Sequence, residues 1–268
     1  MTADDNELQA AIAAALAAGE ILRASYGTRH EIDFKGPTNM VTEVDRASEQ
    51  RIVAMLQAAT PGHGFLAEES EAIRSKNGAR WIVDPLDGTT NFAHGLPYFS
   101  VSIGLEREGQ PVLGVIYNPL LDELYVGRRG GGATLNGRPI HVSGAEDLAH
   151  ALLTSGWPYD AWTSARDNLA EMSYFLKRAI SVRVSGSASL DMAAIACGRL
   201  DGHWEPGLFP YDTAAGAVLV REAGGLATDY TGGPDCLYSS ELLAANPALH
   251  AQMLEYLRTR HREPNSRR

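Results

Sequence analysis

The sequence predicts a mixed α and β fold built from two unlike halves, and two observations carry that prediction. Up to about Ile140, helical stretches lead into short hydrophobic strands parted by Gly, Pro and Asp turns, the pattern of helices lying on an antiparallel sheet. Beyond Ile140, helical stretches alternate with short strands, the rhythm of an α/β layer structure. Residues 1–140 are therefore expected to form one half and residues 141–260 the other, with 261–268 a disordered tail. No internal repeat or low-complexity linker parts the halves, so a broad shared interface is expected, and ligand sites favour such interfaces.

The first helix is expected over about Asp5 to Tyr26. Leu8, Ile12, Ala15, Leu16, Gly19 and Leu22 fall on one face there, and Gly27 stops it. Lys35-Gly36-Pro37-Thr38-Asn39 is breaker-rich and reads as a mobile loop. Thr42, with Asp45 three positions on, makes a capping box for a second helix running past Leu56. Trp81 to Asp84 reads as a short buried strand, followed by strands over Phe99 to Glu106, Val112 to Tyr117 and Glu123 to Val126, and Asn136-Gly137 is a hairpin signal. In the second half, helices are expected over Ala161 to Lys177, Ser187 to Ala196, Pro210 to Ala223 (stopped by Gly224-Gly225) and Pro247 to Arg260. Strands fall at Ser181 to Val184, Asp201 to Glu205 and Leu242 to Ala245.

Charge excludes several partners. With 33 acidic residues against 23 basic and a net charge of −10, the chain repels nucleic-acid backbones and anionic membrane surfaces. The one basic cluster, Arg258, Arg260, Arg262, Arg267 and Arg268, reads as a frayed terminus. No apolar run approaches the roughly 18 residues of a membrane span. The Ala-rich stretch from Ala10 to Ala18 is too short and follows Asp4, Asp5 and Glu7, where an export signal would be basic. Cys197 and Cys236 are isolated thiols that suit a reducing compartment, so a cytoplasmic protein is expected.

The chemistry is concentrated in Trp81-Ile-Val-Asp84-Pro-Leu86-Asp87-Gly88-Thr89-Thr90-Asn91-Phe92. A hydrophobic strand delivers Asp84 at its end, Pro85 stops pairing, and Asp87 follows on a tight turn, so two carboxylates can aim at one point. Gly88, Thr89 and Thr90 then open a helical turn whose free N–H groups attract an anion. Cation ligands and an anion cradle thus stand side by side. Other acids have two readings each. Glu68 and Glu69 end the strand-like Phe65-Leu66-Ala67 or are surface charge, and Asp45 is the acid of the capping box or a site residue. Asp212 is a first-turn acid favoured by the helix dipole or a ligand.

These segments resemble the inositol monophosphatase family of lithium-sensitive, magnesium-dependent phosphomonoesterases. The resemblance rests on Asp84-Pro-Leu-Asp87-Gly-Thr-Thr-Asn, Glu68-Glu69-Ser70 and Glu205-Pro-Gly-Leu-Phe-Pro-Tyr211-Asp212-Thr-Ala-Ala-Gly. Val41-Thr42-Glu43-Val44-Asp45 and Arg221-Glu222-Ala223-Gly224-Gly225 extend it, and the order and spacing match from Lys35 to Gly233. It implies a layered α-β-α-β-α sandwich of the sugar-phosphatase type, with the site between the halves and most metal ligands in the first. Glu68, Asp84 and the carbonyl of Leu86 would hold one metal, while Asp84, bridging, Asp87 and Asp212 would hold a second. Glu68 would also reach a third, weaker ion. Asp45 and Thr89 would orient the attacking water, supported by Glu69, and the amides of Gly88 and Thr89 would hold the phosphate. Gly186-Ser187-Ala188 would approach the substrate ring, Glu205 would accept a ring hydroxyl, and the Lys35 loop would close on the metals. Glu205 also reads as a strand-end surface acid and Lys35 as a surface lysine. Relatives are commonly homodimers. Ala67 and Tyr211 depart from the family's Gly and Trp, beside ligands rather than on them.

Physical chemistry agrees with that assignment. Converging carboxylates without cations raise one another's pKa. An all-oxygen shell selects Mg²⁺, with Mn²⁺ a substitute, over Zn²⁺. Two ions roughly 3.5–4 Å apart can activate water and stabilise the leaving oxygen. Hydrolysis of a phosphate monoester such as inositol 1-phosphate is the expected reaction. Histidinol phosphate and fructose 1,6-bisphosphate are the rival substrates, the first calling for acids near its amine, with Glu205, Asp191 and Asp160 as candidates. Trp157, Pro158 and Tyr159 either line the pocket or pack beneath it, and core packing is the expected reading. A non-catalytic regulatory partner protein is the reading from another class, and loss of a ligand would be its sign. Asp45, Glu68, Asp84, Asp87, Thr89 and Asp212 are all kept.

Overall fold

The computed structural model describes residues 3–36 and 38–262. Helices α1 (Ala3–Ser25) and α2 (Glu43–Ala59) pack on each other and on one face of a seven-stranded sheet. That sheet runs β3 (Gly64–Ala67), β4 (Ala79–Asp87), β5 (Ser100–Arg107), β6 (Gln110–Asn118), β7 (Glu123–Arg128), β8 (Gly132–Leu135) and β9 (Arg138–Pro139), in chain order. All pairs are antiparallel except β3 with β4. On its other face lie α5 (Ala188–Ala196) and α6 (Pro210–Glu222). Beyond them stands a five-stranded mixed sheet in the order β11 (Ser181–Arg183), β10 (Leu152–Ser155), β12 (Gly202–Pro206), β14 (Glu241–Ala245), β13 (Leu226–Thr228). Helices α4 (Leu169–Leu176) and α7 (Pro247–Arg262) close the outside. The layers are α-β-α-β-α, and three apolar clusters fill the gaps between them.

The middle layer sits close because the sheet is cut away beneath it. Gly104, Gly114 and Gly127 are cross-strand neighbours on β5, β6 and β7. A methyl group on Gly114 would stand 2.3 Å from the Ala215 carbonyl oxygen, and one on Gly104 would stand 2.7 Å from Ala214 Cβ. This row of glycines, facing Ala214, Ala215 and Leu219 of α6, brings the helix onto the sheet and with it Asp212 at the helix start. Gly114→Ala is expected to destabilise the fold by about 2–3 kcal/mol, because the clash is with backbone that cannot give. A denaturant midpoint unchanged from the parent protein would refute this.

Most sequence-predicted elements stand where expected, and the differences have physical causes. The buried face of α1 is Ala11, Ala14, Ala15, Ala18 and Leu22, whereas Leu16 is exposed. By length and composition alone Asp4–Ser25 is long and apolar enough to cross a membrane, contrary to expectation, but Ala11, Ala14, Ala15 and Ala18 are buried in the first core cluster. The loop expected at Lys35 is the tip of a hairpin between β1 (Ile32–Phe34) and β2 (Met40–Thr42), closed by Lys35 N–H on the Asn39 carbonyl at 2.9 Å. Of the helix expected over Ala161 to Lys177, only α4 forms. Asn168 before it adopts a left-handed φ of 64° and ties Ser155, Gly156 and Trp204 together through its side chain. The terminus is helical through Arg262, and the remainder of the expected tail lies outside the described residues. Arg258 is not frayed, since its guanidinium donates to the Thr231 carbonyl at 2.8 Å.

Candidate active site

The site lies where the C-terminal end of β4 meets the starts of α5 and α6. Asp84 and Asp87 are three residues apart, and a regular strand would point them to opposite faces. Between them, pairing with β5 shifts from Asp84↔Ser102 to Asp87↔Ser100, so β4 carries one residue more than its partner. This bulge at Pro85 corrects the phase, so both carboxylates are turned into one site. Pairing resumes at Asp87 rather than ending at Pro85 as the sequence suggested.

Gly88 follows with φ 95° and starts α3 (Thr89–Ala93). A Cβ there would stand 3.0 Å from the Tyr98 carbonyl oxygen, so only glycine makes this turn. Thr89 Oγ1 lies 2.9 Å from Asp45 Oδ1 and 3.0 Å from the Leu86 carbonyl. Asp45 is fully buried, and its other oxygen accepts from the Thr42 amide at 2.9 Å and from the Thr42 hydroxyl. The two readings of Asp45 are therefore one geometry: it caps α2 with one oxygen and holds Thr89 with the other.

Acidic groups crowd this end of the sheet. Burial raises Asp84 well above the usual carboxylate range, and the charges of Glu68, Asp87 and Asp212 raise it further. Asp212 is raised by burial and then by Asp87, while its carboxylate accepts from the Phe209 amide at 2.7 Å. Burial pushes Glu68 up to about 7, against the pull of Lys35. Lys35 Nζ lies 3.1 Å from Glu68 and 2.5 Å from Glu69, and these anions hold its pKa up against the effect of burial. Glu69 is oriented in turn by Glu49, which accepts its amide at 2.7 Å. Among the described residues, no three acidic, His or Cys side chains already stand as a closed metal cage. The reason is visible in the partners: Lys35 holds Glu68, and Asp87 Oδ2 accepts from Ser187 Oγ at 2.6 Å and from the Ser189 amide at 2.8 Å. The donor set still fits a hard divalent cation, because it is all oxygen and its carboxylates raise one another.

A cavity of about 320 Å³ opens beside these groups, lined by Asp87, Gly88, Thr89, Gly186–Ala188, Glu205 and Asp212. Gly186 has φ 84°, and a Cβ would press on the Asn91 side chain, whose amide reaches the Tyr98 and Ser185 carbonyls at 2.8 Å each. Asn91 thereby joins the two halves at the cavity wall. Trp157 and Tyr159 line the cavity and are 40% and 50% exposed, so they are not the core packing expected of them, whereas Pro158 is buried. Asp191 lines the cavity too; Asp160 does not, and instead its carbonyl accepts the turn amides of Thr163 and Ser164. Sequence reasoning missed Glu49 and His203, which carry no local motif and act only through the folded neighbours they meet.

With that geometry in hand, comparison with known proteins is decisive. The family model described as "Inositol monophosphatase family" matches residues 4–262. The chain belongs to the inositol monophosphatase family. It is a phosphoric monoester hydrolase of a generally metal-dependent family. It is 44% identical over 251 residues to an inositol-1-monophosphatase of Mesorhizobium japonicum, covering 92% of this chain and 94% of that one. It is 38% identical over 254 residues to the Nus factor SuhB of Escherichia coli, covering 94% and 95%. The solved inositol monophosphatase of Anabaena superposes with a TM-score of 0.88 at 41% identity, covering 96% of this chain and 97% of that one. Together with the observed layers, this establishes the sandwich that the resemblance implied.

Proposed function

We propose that the enzyme hydrolyses inositol 1-phosphate with Mg²⁺, and that Glu68, Asp84, the Leu86 carbonyl, Asp87 and Asp212 hold two ions, with Glu68 reaching a third. The observation that carries this is the convergence of buried carboxylates beside one cavity: Asp87 and Asp212 line it, and Glu68, Asp87 and Asp212 all raise Asp84, a repulsion that a divalent charge would relieve. Bound cations supply a nucleophilic water and neutralise charge on the phosphate. The chain's own part is positional. Thr89 Oγ1 donates to Asp45 at 2.9 Å, which leaves its lone pairs to accept a hydrogen bond from the attacking water and orient it, and Glu69 supports the metal side. The Gly88 and Thr89 amides at the start of α3 meet the phosphate oxygens. Glu205 and the Gly186-Ser187-Ala188 turn face the polyol, and Lys35 closes over Glu68 and Glu69.

A homodimer fits a groove of about 360 Å³ that carries the exposed Leu121 and Val184, 62% and 50% open, which a second copy would cover. The free thiols Cys197 and Cys236 suit the cytoplasm, and the net charge of −10 disfavours nucleic acid and anionic membranes. The test is phosphate release from inositol 1-phosphate, histidinol phosphate, fructose 1,6-bisphosphate and adenosine 3′,5′-bisphosphate, with and without Mg²⁺ and Li⁺. Turnover of inositol 1-phosphate that needs Mg²⁺ and falls with Li⁺ is expected. Faster release from another of the four moves the substrate, and metal-independent release overturns the mechanism. The similarity to a Nus factor favours a second, non-catalytic partner role. Full rescue of a deletion phenotype by Asp87→Asn would put that role first.

A further inference from the structure

His203 stands on β12 two residues before Glu205, and the alternation of the strand turns both toward the middle layer, while Trp204 enters the outer core. Its ring is fully buried, and neither nitrogen makes a hydrogen bond. Nδ1 lies 3.7 Å from Asp191 Oδ2. Nε2 lies 3.2 Å from Glu205 Oε2, within reach but off the angle. Such a ring is poor filler, because an apolar side chain would satisfy the same space without burying two unpaired polar atoms. Its two neighbours differ in kind. Asp191 on α5 is already saturated, accepting from Tyr98 Oη at 2.8 Å and from the hydroxyls of Ser185 and Thr154 at 2.5 Å. Glu205 has no such set and lines the cavity. On its far side Gly156 makes the room, since a Cβ there would stand 2.0 Å from Glu205 Oε1.

We propose that His203 is a positioning residue: buried between Asp191 and Glu205, its ring orients the Glu205 carboxyl group toward the hydroxyls of a polyol substrate. This rests on the reading of Glu205 as the hydroxyl partner given above. A neutral imidazole offers one donor and one acceptor. The Asp191 anion, 3.7 Å from Nδ1, favours the proton on that nitrogen, so Nε2 presents its lone pair to Glu205. Glu205 answers with an O–H, which leaves its other oxygen as a pure acceptor for substrate. Burial keeps His203 below its ordinary value despite Asp191 and Asp87, and burial with Asp87 pushes Glu205 up to about 8, so this proton arrangement agrees with the electrostatics.

The test compares His203→Phe, His203→Gln, Glu205→Gln and the His203→Phe, Glu205→Gln double variant in the Mg²⁺-loaded enzyme with inositol 1-phosphate. His203→Phe is expected to raise KM roughly 5–10-fold with kcat within about twofold, as for one lost buried hydrogen bond. His203→Gln, which keeps a donor and an acceptor, is expected to recover most of that, and the His203→Phe effect is expected to vanish on the Glu205→Gln background. Unchanged KM in His203→Phe, or an equal loss on both backgrounds, overturns the proposal. If Glu205→Gln alone leaves KM unchanged, the reading of Glu205 fails instead. A readout free of turnover is the ¹⁵N spectrum of labelled histidine. The His203 resonances are expected to show a neutral ring with hydrogen on Nδ1 and to move in Glu205→Gln. Immobility there overturns the proposal even where His203→Phe does not fold.

Discussion

Asp84→Asn is expected to abolish phosphate release and, at the same time, to raise the melting temperature of the metal-free protein. Both follow from one fact: Asp84 is 2% exposed, the Leu86 amide donates to it at 3.0 Å, and Glu68, Asp87 and Asp212 all repel its charge. An amide of the same shape removes that repulsion, so roughly 1–2 kcal/mol of stability and a rise of about 2–6 °C are expected without metal. Activity moves the other way. Asp84 is proposed to bridge two ions, and the loss is expected to exceed the roughly 10²–10³-fold seen when a single oxyanion donor is removed. Asp87→Asn is the informative companion. Its Oδ2 accepts from Ser187 and Ser189, so neutralisation weakens charge-assisted bonds as it relieves repulsion, and a smaller stability gain accompanies an equal loss of turnover. Phosphate release within tenfold of the parent in Asp84→Asn, or a lower metal-free melting temperature, would show that these carboxylates do not form a metal site.

How far the sequence carried this result depends on the range over which each feature is encoded. The Thr42–Asp45 capping box and the Asn136-Gly137 hairpin are written within four residues, and both form as read. The proposed metal ligands could be picked out because they come in short motifs, and the charges of Glu68, Asp87 and Asp212 act on Asp84 from three separate segments, Asp84 and Asp87 sharing β4. What was not legible depends on partners far along the chain. The bulge at Pro85 is defined by Ser102 and Ser100 opposite, and the helix-bearing glycine row by the register of three strands. On α1 the expected face holds at Leu8, Ile12, Ala15, Gly19 and Leu22 and fails at Leu16, while Ala11, Ala14 and Ala18 escape the pattern because their small side chains give no hydrophobic signal. Glu49 and His203 look like any acid or histidine until Glu69 and Glu205 are brought beside them.

Without metal, the protein is expected to lose stability as pH rises from about 5 to 8, and Mg²⁺ is expected to restore it. The sign follows from proton linkage. Glu68 titrates near 4.5 when unfolded and about 7 when folded, and Glu205 about 8 when folded, while Asp84, Asp87 and Asp212 are raised as well. Between the unfolded and folded values the native state holds more protons than the unfolded chain, so stability falls with rising pH through that window. Lys35 does not reverse this, because its own pKa is raised and it stays charged throughout, and the depressed His203 and His250, which oppose the fall below about pH 6.5, are outnumbered by the five raised carboxyls. Mg²⁺ binds the deprotonated carboxylates, so its stabilising effect should be small at pH 5 and large at pH 8. At a concentration of 100 times Kd the gain is about 2.7 kcal/mol, or roughly 5–10 °C in melting temperature. Thermal melts at pH 5 and 8, with chelator or with Mg²⁺, decide the matter. A metal-free melting temperature that climbs across this range, or an equal Mg²⁺ gain at both pH values, would mean that the carboxylates ionise independently and that no cation site couples them.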